Sequence, residues 1–227
     1  MKTLALALYA EGRADERFLP ILVRRTAESL LARQSTQVVD VFGPLLVNHD
    51  IDVRFPIRSE RLLEASRRAY GYHLLVIHAD ADYPEPDRAL RERIQPGLEA
   101  IGEAAKSDTR LNDRCVALIP VQMTEAWMLA DPQALIQVIG ATRTAEEMGI
   151  PTRAVQVESL PNPKQTLQQS IQQAISDRPR RRRRIQLSEI HEPLARQISL
   201  ERLQGVPAYQ TFIRDLTVAL KDLHFLE

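Results

Sequence analysis

Asp80 and Asp82 stand one residue apart at the end of an apolar run, Leu74-Leu75-Val76-Ile77-His78, with Ala79 and Ala81 as the only spacers. A buried parallel strand that ends in acids at its carboxyl edge is where open α/β sheets bind ligands. Two residues of extended chain return the side chain to one face, so Asp80 and Asp82 point the same way. Like charges held that close need a proton or a cation to relieve them, and a divalent metal is the first expectation. Glu11 follows an earlier apolar run and Glu125 follows a later one. In a parallel sheet all of these are carboxyl-edge positions that converge from distant parts of the chain. Hard oxygen ligands in this number suit Mg²⁺ or Mn²⁺ rather than zinc, for which histidine and cysteine are poorly placed along the sequence. Asp15, shortly after Glu11, is placed to reach a second ion, and two ions would clamp the attacking and leaving oxygens of a phosphodiester.

The elements that must position these acids follow from periodicity. Residues 3–9 read as a strand and residues 10–15 as a loop with Gly12 for the turn. Asp15 caps a helix on which Phe18, Ile21, Leu22 and Leu30 recur at helical spacing. Residues 37–42 are a second strand and 43–55 a loop; Ser59 caps a helix with Leu62, Leu63, Ser66 and Ala69 on one face. After the strand 74–78, a turn at 83–87 leads into a charged helix to about Lys106, then a strand at 116–120 and a short helix at 123–130, interrupted at Asp131-Pro132. Strands and helices alternate, which predicts an α/β fold with a parallel sheet covered by helices on both faces. Residues 1–140 form that domain. Residues 141–227 read as a smaller helical C-terminal region, in which Asn162-Pro163-Lys164 opens a helix and Gly205-Val206-Pro207 breaks another.

With 227 residues the chain suits one large domain, or one with an appendage. Thirty basic and thirty acidic residues cancel, so nucleic-acid binding would have to come from a local patch. Arg178 and Arg180, Arg181, Arg182, Arg183 and Arg184 are the one concentrated basic run; Arg13 and Arg17 lie near the proposed metals. The single Cys115 excludes an internal disulfide and fits a reducing cytoplasm. No stretch reaches the roughly 20 apolar residues of a membrane span. The N-terminal apolar run is too short for a signal peptide and meets Glu11 at once.

Glu11-Gly12-Arg13-Ala14-Asp15 after a first strand, with Asp80-Ala81-Asp82 after a third, resembles the TOPRIM domain of topoisomerases, primases, recombination-repair proteins and OLD-type nucleases. Ala10-Glu11-Gly12 through Phe18-Leu19, joined with residues 120–131, is similar more narrowly to a bacterial TOPRIM-like group that includes RloB-type proteins and accompanies ATPases in phage defence. The likeness covers about the first 135 residues. It implies a Rossmann-like TOPRIM sheet, a catalytic or metal-binding Glu11, metal-binding Asp80 and Asp82, and a further acid near Asp15 for a second metal. The chain lacks the tyrosine context of a topoisomerase and the nucleotide-selecting domains of a primase, so hydrolysis is favoured.

The expectation is therefore a Mg²⁺- or Mn²⁺-dependent nuclease, acting on DNA or RNA as the effector of an ATPase of the ABC/SMC-like or AAA kind. Catalysis is expected from Glu11, Asp80, Asp82, Glu125 and Lys164, with Lys164 neutralising transition-state charge. Plainer roles stand beside these: Asp15 as a helix cap, Glu125 in first-turn electrostatics, His78 as a satisfied core histidine, and the arginine run as a solvated segment. Two other functions are compatible with the same residues. One is a non-catalytic subunit that docks an ATPase; the other is a phosphatase forming an aspartyl-phosphate, although such motifs usually follow a first strand.

Overall fold

Near-continuous burial of the two central strands builds one sheet with two apolar faces. The computed structural model describes residues 2–81, 85–176 and 185–227. In chain order the first part comprises β1 (Lys2–Tyr9), α1 (Arg13–Gln34), β2 (Val39–Leu46), α2 (Ile51–Arg54), α3 (Arg58–Arg68) and β3 (Leu74–His78). Then come α4 (Pro86–Ala89), a π-helical turn (Leu90–Ile94), α5 (Gln95–Ala105) and β4 (Cys115–Leu118). The strands are all parallel, in the order β2-β1-β3-β4. This is the doubly wound, Rossmann-like architecture, with helices on both faces.

Strand periodicity assigns the faces. Leu4, Leu6 and Leu8 of β1 and Leu74 and Val76 of β3 pack toward α1. Ala7 and Tyr9, with Leu75 and Ile77, pack on the other side with Leu62 of α3 and Ile101 of α5. Both faces of β3 are thus covered, and all five of its residues are buried. Close contact between α3 and α5 depends on Gly97, where a Cβ would come within 2.4 Å of Leu62 Cδ1.

Several element ends differ from those expected. The β2 strand starts at Val39 and runs on through Gly43-Pro44 to Leu46, instead of ending at Phe42. Gly43 takes φ +89°, and a Cβ there would lie 2.5 Å from Leu6 O, so the chain bulges at this glycine while pairing continues. The first helix begins one turn early, with Gly12 rather than Asp15 as its cap. Ile57, not Ser59, precedes α3.

The remaining elements are α6 (Thr124–Met128), α7 (Pro132–Ile139), a 3₁₀ turn (Ala154–Ser159), α8 (Pro163–Ile175), α9 (Leu187–Gln197), α10 (Leu200–Leu203) and α11 (Pro207–Asp222). Asn162 caps α8 as expected, accepting from Gln165 N–H at 3.0 Å. These helices add their apolar stripes to the α1 side of the sheet: Leu167, Ile171, Leu194, Phe212 and Leu216 join the cluster that holds Leu4 and Val76. Trp127 meets Tyr209 edge-on at 5.3 Å, and the Tyr209 hydroxyl lies 2.7 Å from Thr26 Oγ1 of α1. The described helices of the C-terminal half therefore extend the layer on the α1 side of the sheet. Among the described residues no helix is long and apolar enough to cross a membrane.

Candidate functional site

In the order β2-β1-β3-β4 the chain leaves β1 in one direction and returns to its other side, so the switch point lies between β1 and β3. Crevices at the carboxyl ends of such strands are the ligand sites of open α/β sheets. Glu11 and Asp80 flank this crevice but turn to opposite layers. Glu11 continues the parity of Ala7 and Tyr9, toward the start of α3; Asp80 continues that of Val76 and His78, toward α1.

On the α1 side, Asp15, His78 and Asp80 each offer a ligand atom within 4.8 Å of the others. Asp15 is nearly buried and sits at the third position of α1, where its Oδ2 accepts from Gly12 N–H at 3.0 Å. Burial raises its pKa, and the Asp80 charge adds to that; His78, the Thr124 side chain and Gly12 N–H pull the other way. Asp80 Oδ1 accepts from Thr124 N–H at 3.2 Å and from His78 Nε2–H at 3.2 Å. His78 itself is fully buried, with Nδ1 accepting from Glu11 N–H at 3.3 Å and 3.8 Å from Asp15 Oδ2. Burial disfavours a charged ring, yet the hydrogen bond to Asp80 and the charges of Asp15, Asp80 and Glu11 outweigh it and raise the pKa. A proton on Nδ1 would turn that acceptor into a donor facing the Glu11 amide. The ring in this arrangement is therefore neutral, with its proton on Nε2.

A cavity of about 330 Å³ opens over this cluster, lined by Gly12, Arg13, Ala14, Asp15, Asp80, Met123, Glu125 and Lys164. Five of the residues singled out in the sequence thus face one space, although they come from β1–α1, β3, α6 and α8. Glu125 lies in the first turn of α6 and is almost buried. Burial raises its pKa, its own backbone N–H and the Lys164 charge lower it, and Asp15 and Asp80 add to the rise. Three carboxylates against Arg13 and Lys164 make a space that is acidic at its floor and basic at its rim. The donors fit a hard divalent cation: Asp15, Asp80 and Glu125 line the cavity, and both ring nitrogens of His78 are already engaged, Nε2 with Asp80 and Nδ1 with Glu11 N–H.

The other expected residues lie elsewhere. Arg17 donates from Nη1 to Ser188 O at 3.0 Å, joining α1 to the start of α9. Glu11 is held on the α3 side: Arg58 Nη1 and Arg93 Nη2 donate to its Oε1, the latter at 3.2 Å, and Asp80 N–H donates to its Oε2 at 2.9 Å. Asp82 and the arginines 178 and 180–184 lie outside the described residues.

Three supporting residues carry no signal of their own in the sequence. Asn48, after β2, donates to Ala10 O at 2.7 Å and to Glu16 Oε1 at 2.8 Å and accepts from Ala10 N–H at 3.2 Å, pinning the exit of β1. Arg58 opens α3, an unfavourable place for a cation beside the helix dipole, and Glu11 answers its charge. Arg93 sits in the π-helical turn, a device found often near functional sites.

Fold and site together define a doubly wound α/β protein with an acidic, cation-rimmed cleft at its switch point. The chain belongs to the family described as a domain of unknown function (DUF4276), whose profile matches residues 10–217. No curated protein matches the chain, and no solved structure matches it.

Proposed function

We propose that this protein is a Mg²⁺- or Mn²⁺-dependent nuclease, and the observation that carries the reading is the single cavity in which Asp15, Asp80 and Glu125 face Arg13 and Lys164. Acids that would gather a hard cation, with basic side chains lining the same cavity, suit a phosphodiester better than an uncharged substrate. The TOPRIM resemblance points to the same chemistry and adds the expectation of a cytoplasmic effector working with an ATPase in phage defence.

A bound divalent ion supplies Lewis-acid charge and a water of lowered pKa. Asp15 and Asp80 would hold the ion, and His78 and Thr124 fix the Asp80 carboxylate by donating to its Oδ1. Arg13 and Lys164 bind the non-bridging oxygens of the substrate phosphate and offset the charge that grows on them. Glu125, its pKa raised by burial, would take a proton from the attacking water as the new P–O bond forms and the P–O bond to the leaving oxygen breaks, with solvent protonating the leaving oxygen.

The test is cleavage of plasmid DNA, single-stranded DNA and total tRNA with Mg²⁺ or Mn²⁺, against EDTA and against Asp80→Asn, with and without an ATPase encoded alongside. Metal-dependent cutting lost in the variant is expected. A small phosphomonoester is included as a separate substrate, because its turnover alone would indicate the phosphatase. Absence of cutting by folded, metal-loaded protein refutes the nuclease and leaves the docking subunit.

A further inference from the structure

Glu11 is the acid that the TOPRIM resemblance makes a metal ligand, yet its carboxylate is the one most completely engaged by protein. One oxygen accepts from Arg58 and Arg93, the other from Asp80 N–H. Its side chain is 19 % exposed, and it is absent from the group of ligand atoms formed by Asp15, His78 and Asp80. The two arginines are tied down in turn. Arg58 donates to Arg93 O and, at 3.3 Å, to His78 O; Arg93 donates to Asp80 O. Every backbone group at the end of β3 that these residues reach, the carbonyls of His78 and Asp80 and the amide of Asp80, is therefore fixed through the Arg58–Glu11–Arg93 unit. Pleat parity explains the division, since Glu11 leaves its strand on the layer of α3 and α5 while Asp80 leaves on the layer of α1.

We infer that Glu11, Arg58 and Arg93 form a brace that sets the position of Asp80 from behind, and that Glu11 is a positioning residue rather than a ligand to the metal. The inference rests on the metal site proposed above. Arg58 and Arg93 then serve metal binding, whereas in a ligand role for Glu11 they would compete with the ion for its carboxylate. The two roles predict opposite signs for the same substitution.

Mn²⁺ affinity of the full-length chain, read from the electron paramagnetic resonance signal of free ion, separates them. Arg58→Ala and Glu11→Gln are each expected to weaken Mn²⁺ binding about 10-fold or more, the usual scale for losing a residue that orients a ligand. The double variant should lose no more than the worse single variant, and Arg58→Lys should recover part of the loss. Asp80→Asn should abolish binding. Tighter or unchanged binding in Arg58→Ala overturns the brace, as does abolition of binding by Glu11→Gln while Arg58→Ala has no effect. Melting temperatures in metal-free buffer make the brace testable on its own. Glu11→Gln and Arg58→Ala should each lower the midpoint, and their effects should be strongly non-additive; additive shifts refute the brace. Failure of the wild-type chain to bind Mn²⁺, with that non-additivity intact, would reject the proposed metal site and leave the brace as a structural unit.

Discussion

Asn48→Ala tests whether the loop that delivers Glu11, Gly12 and Asp15 is held by one buried amide. Asn48 is 7 % exposed and Ala10 is fully buried, so the Ala10 N–H and C=O that Asn48 satisfies have no ready access to water. Leaving each unpaired costs about 1–3 kcal/mol. Water entering the vacated volume recovers part of that, and the Glu16 carboxylate, being partly exposed, is rehydrated at little cost. The net expectation is about 2–4 kcal/mol of lost stability, or a melting midpoint lowered by roughly 5–15 °C for a domain of this size. Asn48→Asp should be at least as harmful at neutral pH, because it sets a carboxylate against Ala10 O and Glu16 while keeping only the acceptor for Ala10 N–H. Urea unfolding followed by circular dichroism gives both values, and Mn²⁺ binding should weaken in parallel as Asp15 loses its register. A loss below about 0.5 kcal/mol for Asn48→Ala, the scale of an ordinary surface substitution, would refute the claim that Asn48 pins this loop.

Two neighbouring glycines on α5 should respond in opposite directions. Gly97→Ala places a methyl 2.4 Å from Leu62 Cδ1 and 2.8 Å from Leu62 Cβ, and should cost about 1–3 kcal/mol by overpacking. Gly102→Ala meets nothing within 4 Å and should gain about 0.5–1 kcal/mol of helix stability; chemical denaturation of the pair checks both. Acid sensitivity should come in part from His191, whose pKa burial lowers to about 4, with Arg17 and Lys164 adding to the shift. Both ring nitrogens are buried without a hydrogen-bond partner. Since the unfolded chain protonates this histidine near pH 6.5 and the folded chain only near 4, stability should rise with pH between those values and gain nothing more from His191 above them. His191→Leu should flatten that part of the stability profile, and a slope identical to wild type in this window would refute the assignment.

What could be read in advance divides along a physical line. Strands buried on both faces, such as Leu74–His78, stand out as short continuous apolar runs. Their order then fixes which acids reach the same edge, which is why Asp15, Asp80, Glu125, Lys164 and Arg13 share one cavity. Boundaries failed where a local conformation overrides composition. Gly43-Pro44 looks like the end of a strand, yet it is a bulge through which pairing with β1 continues. The supporting shell was illegible for another reason. Arg58 and Arg93 belong to charged helical segments that resemble any solvated face, and their partner Glu11 lies 47 and 82 residues away.

One part of that shell was nonetheless implicit in the pattern. Glu11 follows Tyr9 by two residues, and Asp80 follows His78 by two. Tyr9 belongs to the core on the α3 side, while His78 continues the parity of Val76 on the α1 side. Two acids that leave adjacent parallel strands on opposite parities cannot both aim at one ion without the backbone turning between strand and side chain. An acid so displaced needs a cation on its own layer, and the first residue of the α3 helix, Arg58, supplies one. The placement of Glu11 among arginines is thus a consequence of strand parity, and the effect of Arg58→Ala on Mn²⁺ binding measures whether that placement persists when the ion is present.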